Sequence, residues 1–528
     1  MPPLALSLAL VASPAVAAIG DAGAYARARV AEADGAVGIA ARDYARVLAD
    51  DPRDVGIALR TYRAAVRAGD MPLADRAAAD LAAQKAAPSD ALLLALAAAA
   101  QDGDRAAAEE ALTRFEDDRL RILAPPLRAW LALEAGGDPF AALAKVPDEP
   151  VARRFAAETR ALLLIASGRI AEGRTAIRAL GGGAGDLAAF DERVAAARLL
   201  IGQGKGEEAR ALLADGTGDV ALRVEPARGA TPTLAFGAAQ LFTRVAADLA
   251  TGEPGPLTYT LLRAALRADP GNDRARLLLA GVLARDGALD AGLALLAEVP
   301  GDSAYAAIAA TGRVQMLDEN GRAAEARAAL DRLSVARDAP DGDVQRLADL
   351  NMQLDRPAAA APLYALLLKR AGSGADWADW LQYGAALDGA GRWPQARAAL
   401  EKAVARGPEQ PLALNYLGYA LILHRERMGA AQAMLEKAVR LKPDDASIAD
   451  SLGWALYLRG APARALPLIE RAALAEPLNA EIGEHLGDLY WWAGRRYEAR
   501  YAWTAARVTA TPVEVARLDA KLSQESPE

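Results

Sequence analysis

A glycine-centred motif returns four times in the last third of this chain, at steps of 34, 35 and 34 residues, and a period of that size admits few folds. The motifs are Leu381-Gln382-Tyr383-Gly384, Tyr416-Leu417-Gly418, Ser451-Leu452-Gly453 and His485-Leu486-Gly487. Each glycine is followed 12 or 13 residues later by an alanine (Ala396, Ala431, Ala465, Ala499) and 24 or 25 residues later by a proline (Pro408, Pro443, Pro477, Pro512). A second alanine stands five or six residues before each proline: Ala403, Ala438, Ala472 and Ala506. Two antiparallel helices per period account for the pattern. Glycine on the first helix and alanine on the second allow close approach, the second alanine leaves room for the next hairpin, and proline ends the second helix by denying α geometry to the residue before it.

Upstream the same rhythm continues with looser spelling. Turns are expected at Asn320-Gly321, Asp355-Arg356-Pro357 and Asp286-Gly287, and farther back at Ala68-Gly69-Asp70, Gln101-Asp102-Gly103, Gly136-Gly137-Asp138, Ser167-Gly168 and Gly202 to Gly206, while Asp51-Pro52 closes the first pair. A chain of 528 residues exceeds one compact core, and with aromatic residues at 5% and β-branched runs scarce it is expected to be almost wholly helical. About 13 to 14 hairpins of roughly 34 residues fill that length.

The four clear repeats resemble the tetratricopeptide repeat (TPR) family, with Trp380 in the slot before Gly384 and Tyr490 in the slot after Gly487. The order LNYLGYAL, SLGWALY, HLGDLYWWAGRRYEARYAW further resembles exported bacterial TPR proteins related to outer-membrane TPR lipoproteins, from about Leu234 to the end. The resemblance implies an all-α solenoid, a right-handed superhelix of hairpins, that binds a protein or peptide partner and catalyses nothing. This chain lacks the lipidation cysteine of the anchored members, since it has no cysteine at all. The same absence removes disulfides and thiolate metal sites.

The expected divisions are a secretory signal over 1–18, degenerate hairpins over 19–222, TPR-like hairpins over 233–372, well-formed repeats over 373–512, and a capping helix with a polar tail over 513–528. The stretch from Leu222 to Pro232, rich in proline, glycine and threonine, separates the first two arrays. The signal reading rests on an apolar run from Leu4 to Ala12, a Ser13-Pro14 break and Ala15-Val16-Ala17, with cleavage near Ala17 or Ala18. It places the chain in the periplasm; were the stretch instead an alanine-rich first helix, the chain would be cytoplasmic. The run is too short for a membrane span of roughly 20 residues.

A net charge of -8, with acids and bases interleaved and no basic run longer than a pair such as Arg495-Arg496, argues against nucleic acid. The binding face should be the concave wall formed by the first helices. Positions three before, one after and four after each repeat glycine share one helix face. They give Leu381, Ala385 and Asp388; Asn415, Tyr419 and Ile422; Asp450, Trp454 and Tyr457; and Glu484, Asp488 and Trp491. Of these the candidate groove residues are Asn415, Tyr419, Asp450, Trp454, Tyr457, Glu484, Asp488 and Trp491. Seven of the eight tryptophans lie between Trp377 and Trp503, and Trp and Tyr dominate interface hot spots. The acids beside them favour a ligand with apolar and basic side chains. Trp380, Tyr490 and Trp503 are expected to pack between helices.

No cofactor, metal or catalytic residue is expected. The two histidines, His424 and His485, lie 61 residues apart, with His424 in a turn and His485 packed beside a repeat glycine. Ile201-Gly202-Gln203-Gly204-Lys205-Gly206 lacks the Gly-Lys-Ser/Thr ending of a phosphate loop. A structural subunit of a secretion or polysaccharide-export assembly, associated with an envelope complex, is the alternative function.

Overall fold

The computed structural model describes residues 21–116, 120–181, 187–214, 229–334, 339 and 341–523. The expected signal over 1–18, residues 222–228 of the expected boundary and the tail beyond Ser523 lie outside them. Among the described residues the chain is all-α, with 29 α-helices that form 14 hairpins and one terminal helix. It divides into two compact units, Met1–Asp343 and Val344–Glu528.

Unit 1 holds nine hairpins: α1 (Ala22–Ala33) with α2 (Val37–Asp50), α3 (Val55–Ala68) with α4 (Met71–Ala83), α5 (Ala91–Asp102) with α6 (Arg105–Glu116), α7 (Ala124–Glu134) with α8 (Pro139–Leu143), α9 (Pro150–Ala166) with α10 (Ile170–Ala179), α11 (Leu187–Gly202) with α12 (Gly206–Ala214), α13 (Leu234–Leu249) with α14 (Pro256–Ala268), α15 (Asp273–Arg285) with α16 (Leu289–Ala297), and α17 (Ala306–Glu319) with α18 (Ala323–Leu330). Apart from Asp355-Arg356-Pro357, which falls in unit 2, every turn expected upstream lies at the junction of two of these helices.

Unit 1 does not simply extend hairpin by hairpin. Helices α13 and α14 pack back across first helices α3, α5, α7 and α9. The contact is tight enough that a Cβ on Gly237 would lie 2.1 Å from the Trp130 ring, which is buried and meets Phe236 edge to face. Polar groups lock the same seam. Thr260 Oγ1 donates to Asp90 Oδ2 at 2.7 Å, and Arg263, its pKa pushed down to about 10 by burial, donates to the carbonyls of Val66 and Arg67 at the end of α3. The turn before α2 also abuts the turn before α16, where a Cβ on Gly35 would meet the Gly287 carbonyl at 2.1 Å.

Unit 2 holds α19 (Asp341–Gln353) with α20 (Pro357–Ala371), α21 (Trp377–Gly389) with α22 (Trp393–Arg406), α23 (Pro411–Leu423) with α24 (Met428–Leu441), α25 (Ala446–Leu458) with α26 (Pro462–Ala475), α27 (Ala480–Trp492) with α28 (Arg496–Thr509), and the single helix α29 (Pro512–Leu522). The repeat residues act much as their spacing predicts. A Cβ on Gly384, Gly418 or Gly453 would collide with Leu400, Leu435 or Ile469 of the second helix at 2.5 to 2.9 Å, and on Gly487 with Trp503 at 2.2 Å. The space each glycine leaves is thus filled by a large side chain four residues beyond the expected alanine. Ala472 packs with Ala446, Ala449 and Ile482, so the second alanine does receive the next hairpin.

Helix ends follow the same logic. Gly407, Lys442 and Glu476, each preceding a proline, leave the α region with ψ of 71°, 77° and 69°. Between first and second helices the chain turns through left-handed Gly391, Gly460 and Gly494. The turn with one extra residue has no glycine, and Arg425 (φ 55°) and Arg427 (φ 46°) take that conformation there.

Candidate functional site

Within unit 2 the first helices touch one another in sequence, α21 on α23, α23 on α25 and α25 on α27, while each second helix meets the following first helix. The first-helix side is therefore the inner side. N-caps fix the start of three of these helices: Asp376 accepts from the Asp379 amide at 3.1 Å, Asp445 from the Ile448 amide at 3.0 Å and Asn479 from the Ile482 amide at 3.3 Å. With the starts fixed, residues spaced four and three apart are held in register across neighbouring hairpins.

The candidate residues form a connected face. Tyr419 on α23 donates its hydroxyl to Glu481 on α27, spanning the intervening α25. Burial, and then the charge of Glu481, push the Tyr419 phenol well above its ordinary range. Trp454 on α25 stacks on His485 of α27 with ring centroids 3.8 Å apart and planes 13° from parallel, and it touches Tyr457 at 5.0 Å. His485 Nδ1 lies 2.9 Å from Asp450 Oδ2, with both residues buried. Trp491 lies under the Arg496 guanidinium at 3.7 Å and against Trp503 at 5.4 Å.

Charge on this face is spoken for within the chain. Glu484 is buried and accepts from Arg517 Nη2 at 2.8 Å and Lys521 Nζ at 2.7 Å, and Lys521 also donates to both oxygens of Asp488 at 2.7 Å. Burial opposes ionisation of Glu484, yet the hydrogen bonds from Arg517 and Lys521 outweigh it and hold the carboxyl below its ordinary range. Burial wins at Asp488 and pushes its carboxyl up. Glu484 and Asp488 therefore do not offer the free negative charge that their sequence positions suggest, because the terminal helix α29 pairs with them, and Asp450 is buried against His485 Nδ1.

Asn415 differs from its neighbours. It is half-buried on α23, and its Oδ1 is buried without a hydrogen-bond partner. Ile422, on the same stripe by spacing, is fully buried in the hairpin core and leaves the face. Trp503 is buried against Gly487, Tyr490 donates to Glu470 at 3.0 Å, and Trp380 lies under Lys402 at 4.2 Å, all packing roles as expected. His424 caps the end of α23 exposed to solvent, stacked on Trp393 at 3.9 Å.

Sequence reasoning missed Glu481, Arg517 and Lys521. The signal was present: Arg517 and Lys521, four apart on α29, match Glu484 and Asp488, four apart on α27. Among the described residues no helix is long and apolar enough to cross a membrane.

Residues 377–420 match the family model for the tetratricopeptide repeat. No curated protein matches the chain. Among solved structures, the TPR protein TTC0263 of Thermus thermophilus is 24% identical, covering 34% of this chain and 98% of its own, with a TM-score of 0.31. MamA of Desulfovibrio magneticus RS-1 is 18% identical over 35% and 97%, with a TM-score of 0.27. YrrB, described as a TPR protein with an unusual peptide-binding site, is 22% identical over 34% and 90%, with a TM-score of 0.26.

Proposed function

From a chain that carries a tetratricopeptide repeat at 377–420 and repeats its hairpin to the C-terminus, we propose a non-enzymatic scaffold that binds a protein or peptide on the first-helix face of unit 2. The observation that carries this reading is Asn415. A buried carboxamide oxygen with no partner costs about 1–3 kcal/mol, and a turn of the half-buried side chain toward a peptide N–H laid along the face would remove that cost. Half-buried Tyr419 on α23, Trp454 and Tyr457 on α25 and Trp491 on α27 add the side-chain types that anchor interfaces. Because Glu484 and Asp488 are paired with Arg517 and Lys521 of the same chain, the partner is selected by apolar side chains and backbone donors more than by basic charge.

The work is assigned to the bacterial cell envelope on the strength of the apolar stretch over 1–18. N-terminal sequencing of protein from the native cell should begin after Ala17 or Ala18; an intact Met1 on the mature chain would remove the export reading.

Crosslinking in the native cell, followed by purification of the tagged full chain, tests the binding face. Asn415→Ala and the double variant Trp454→Ala/Trp491→Ala should each lower recovery of the captured partner by about tenfold while thermal unfolding of unit 2 remains cooperative. Equal recovery with all variants would sink the assignment of the face and leave the fold untouched.

A further inference from the structure

The six most exposed large apolar and aromatic side chains among the described residues, 71% to 91% exposed, all lie between Leu474 and Val513 in unit 2. Three of them, Tyr497, Tyr501 and Val508, stand on α28. With exposed Thr504 they follow steps of four, three and four, which puts them on one side of the helix. Buried Ala499, Ala502, Trp503 and Ala506 take the other side.

The second helices before α28 are built differently at the same positions. Counted from the repeat alanines, the first two places of the stripe hold only proline, alanine or glycine on α22, α24 and α26, and the third holds Glu401, Glu436 or Glu470. Glu401 and Glu470 reach forward to Arg427 and Arg495 of the next hairpin, at 2.6 and 3.1 Å. Past α28 only α29 follows among the described residues, and Thr504 donates back to the Arg500 carbonyl of its own helix. A last hairpin that met only water would carry a polar outer face. This one exchanges small residues and a glutamate for two tyrosines, a threonine and a valine.

We propose that this stripe is the contact between two copies of the chain, paired across a two-fold axis with their α28 helices antiparallel. The spacing identifies the occupant. Steps of four, three and four are the same in either direction, so an antiparallel copy sets Tyr497 against Val508 and Tyr501 against Thr504, twice over. Each ring then meets a smaller β-branched side chain, and no ring meets its own copy. The size fits as well. With Leu474 at the matching place on α26 and Leu478 just after it, the exposed apolar side chains offer on the order of 800 Å², what each partner gives to an interface of standard size. The contact uses second helices, so it stands or falls independently of the first-helix face.

The test is sedimentation velocity of the full chain at roughly 1 to 100 μM, a range over which the natural chain should pass from monomer to dimer. Tyr497→Ser/Tyr501→Ser, which removes two exposed rings, should weaken association by about tenfold or more. Should that variant fail to fold, Thr504→Arg, which sets a charge against Tyr501 of the other copy, should weaken it instead. Ala398→Glu, at the second place of the stripe on α22, should leave association unchanged. A natural chain that stays monomeric throughout would overturn the proposal and leave the stripe to a different protein. Association that the tyrosine and threonine variants keep in full, or that grows past the dimer, would overturn it too.

Discussion

The two units use one hairpin to opposite ends. In unit 1 the inner faces of α3, α5, α7 and α9 are covered by α13 and α14 of the same unit, so the place where an array of this kind receives a ligand is filled from within. Among the described residues of unit 2 no hairpin of that unit packs back across the inner faces of α21, α23 and α25, and helix α29 reaches the end of the face by way of Glu484 and Asp488. The difference teaches that hairpin geometry alone does not decide whether a face is open; side chains outside the repeat pattern do. Thr260, Arg263 and Gly237 close one face, and Arg517 and Lys521 close only the end of the other.

The comparison breaks most visibly at Trp130. Trp130→Ala should cost unit 1 about 3–5 kcal/mol, seen as an earlier first transition in urea, with the transition of unit 2 unmoved. Loss of both transitions together would show that the units do not unfold separately. The matching insult in unit 2 is Gly453→Val, whose Cβ would start 2.5 Å from Ile469 Cγ1; about 1–3 kcal/mol should be lost, from the second transition only.

Lys521→Met tests how α29 is held. It should lower the stability of unit 2 by about 1–2 kcal/mol at neutral pH, because buried Glu484 and half-buried Asp488 lose a shared donor. The pH dependence gives the sign. The Glu484 carboxyl is held low when folded, so its contribution is present above the ordinary glutamate value near 4.3 and is lost as pH falls through the depressed folded value. Asp488, pushed up, acts in the opposite sense, losing stability as pH rises through its folded value. Glu484→Gln should therefore flatten the fall in unit 2 stability below about pH 4; an acid limb as steep as that of the natural chain would show the ion pair to be energetically idle. The smallest effect is expected from Tyr419→Phe, about 0.5 kcal/mol by denaturant titration, since Glu481 is exposed and water replaces the lost hydroxyl.

Hairpins were legible in the residues because their signals are local. A glycine, two alanines and a proline at set steps specify two helices and their turn without reference to the rest of the chain, and even the one-residue expansion near His424 appears as a shifted step. The fold-back of α13 and α14 was not legible for the converse reason. Thr260 and Arg263 are ordinary helix residues, and their partners Asp90 and Val66 stand 170 and 197 positions away. The candidate face was half legible: spacing located the aromatic residues, but it also included Ile422, which the core takes, and it counted Asp450, Glu484 and Asp488 as free because their partners belong to other helices.

The long seam of unit 1 also has a consequence in time. Hairpins of a linear array contact only their neighbours and can settle as they emerge, whereas Asp90 waits for Thr260 and the carbonyls ending α3 wait for Arg263. At roughly 5–20 residues per second of synthesis, that wait lasts on the order of ten seconds or more. Through that interval the inner faces of α3, α5 and α7 are uncovered, so a nascent chain is most exposed to aggregation, and most in need of a chaperone, just before α14 appears.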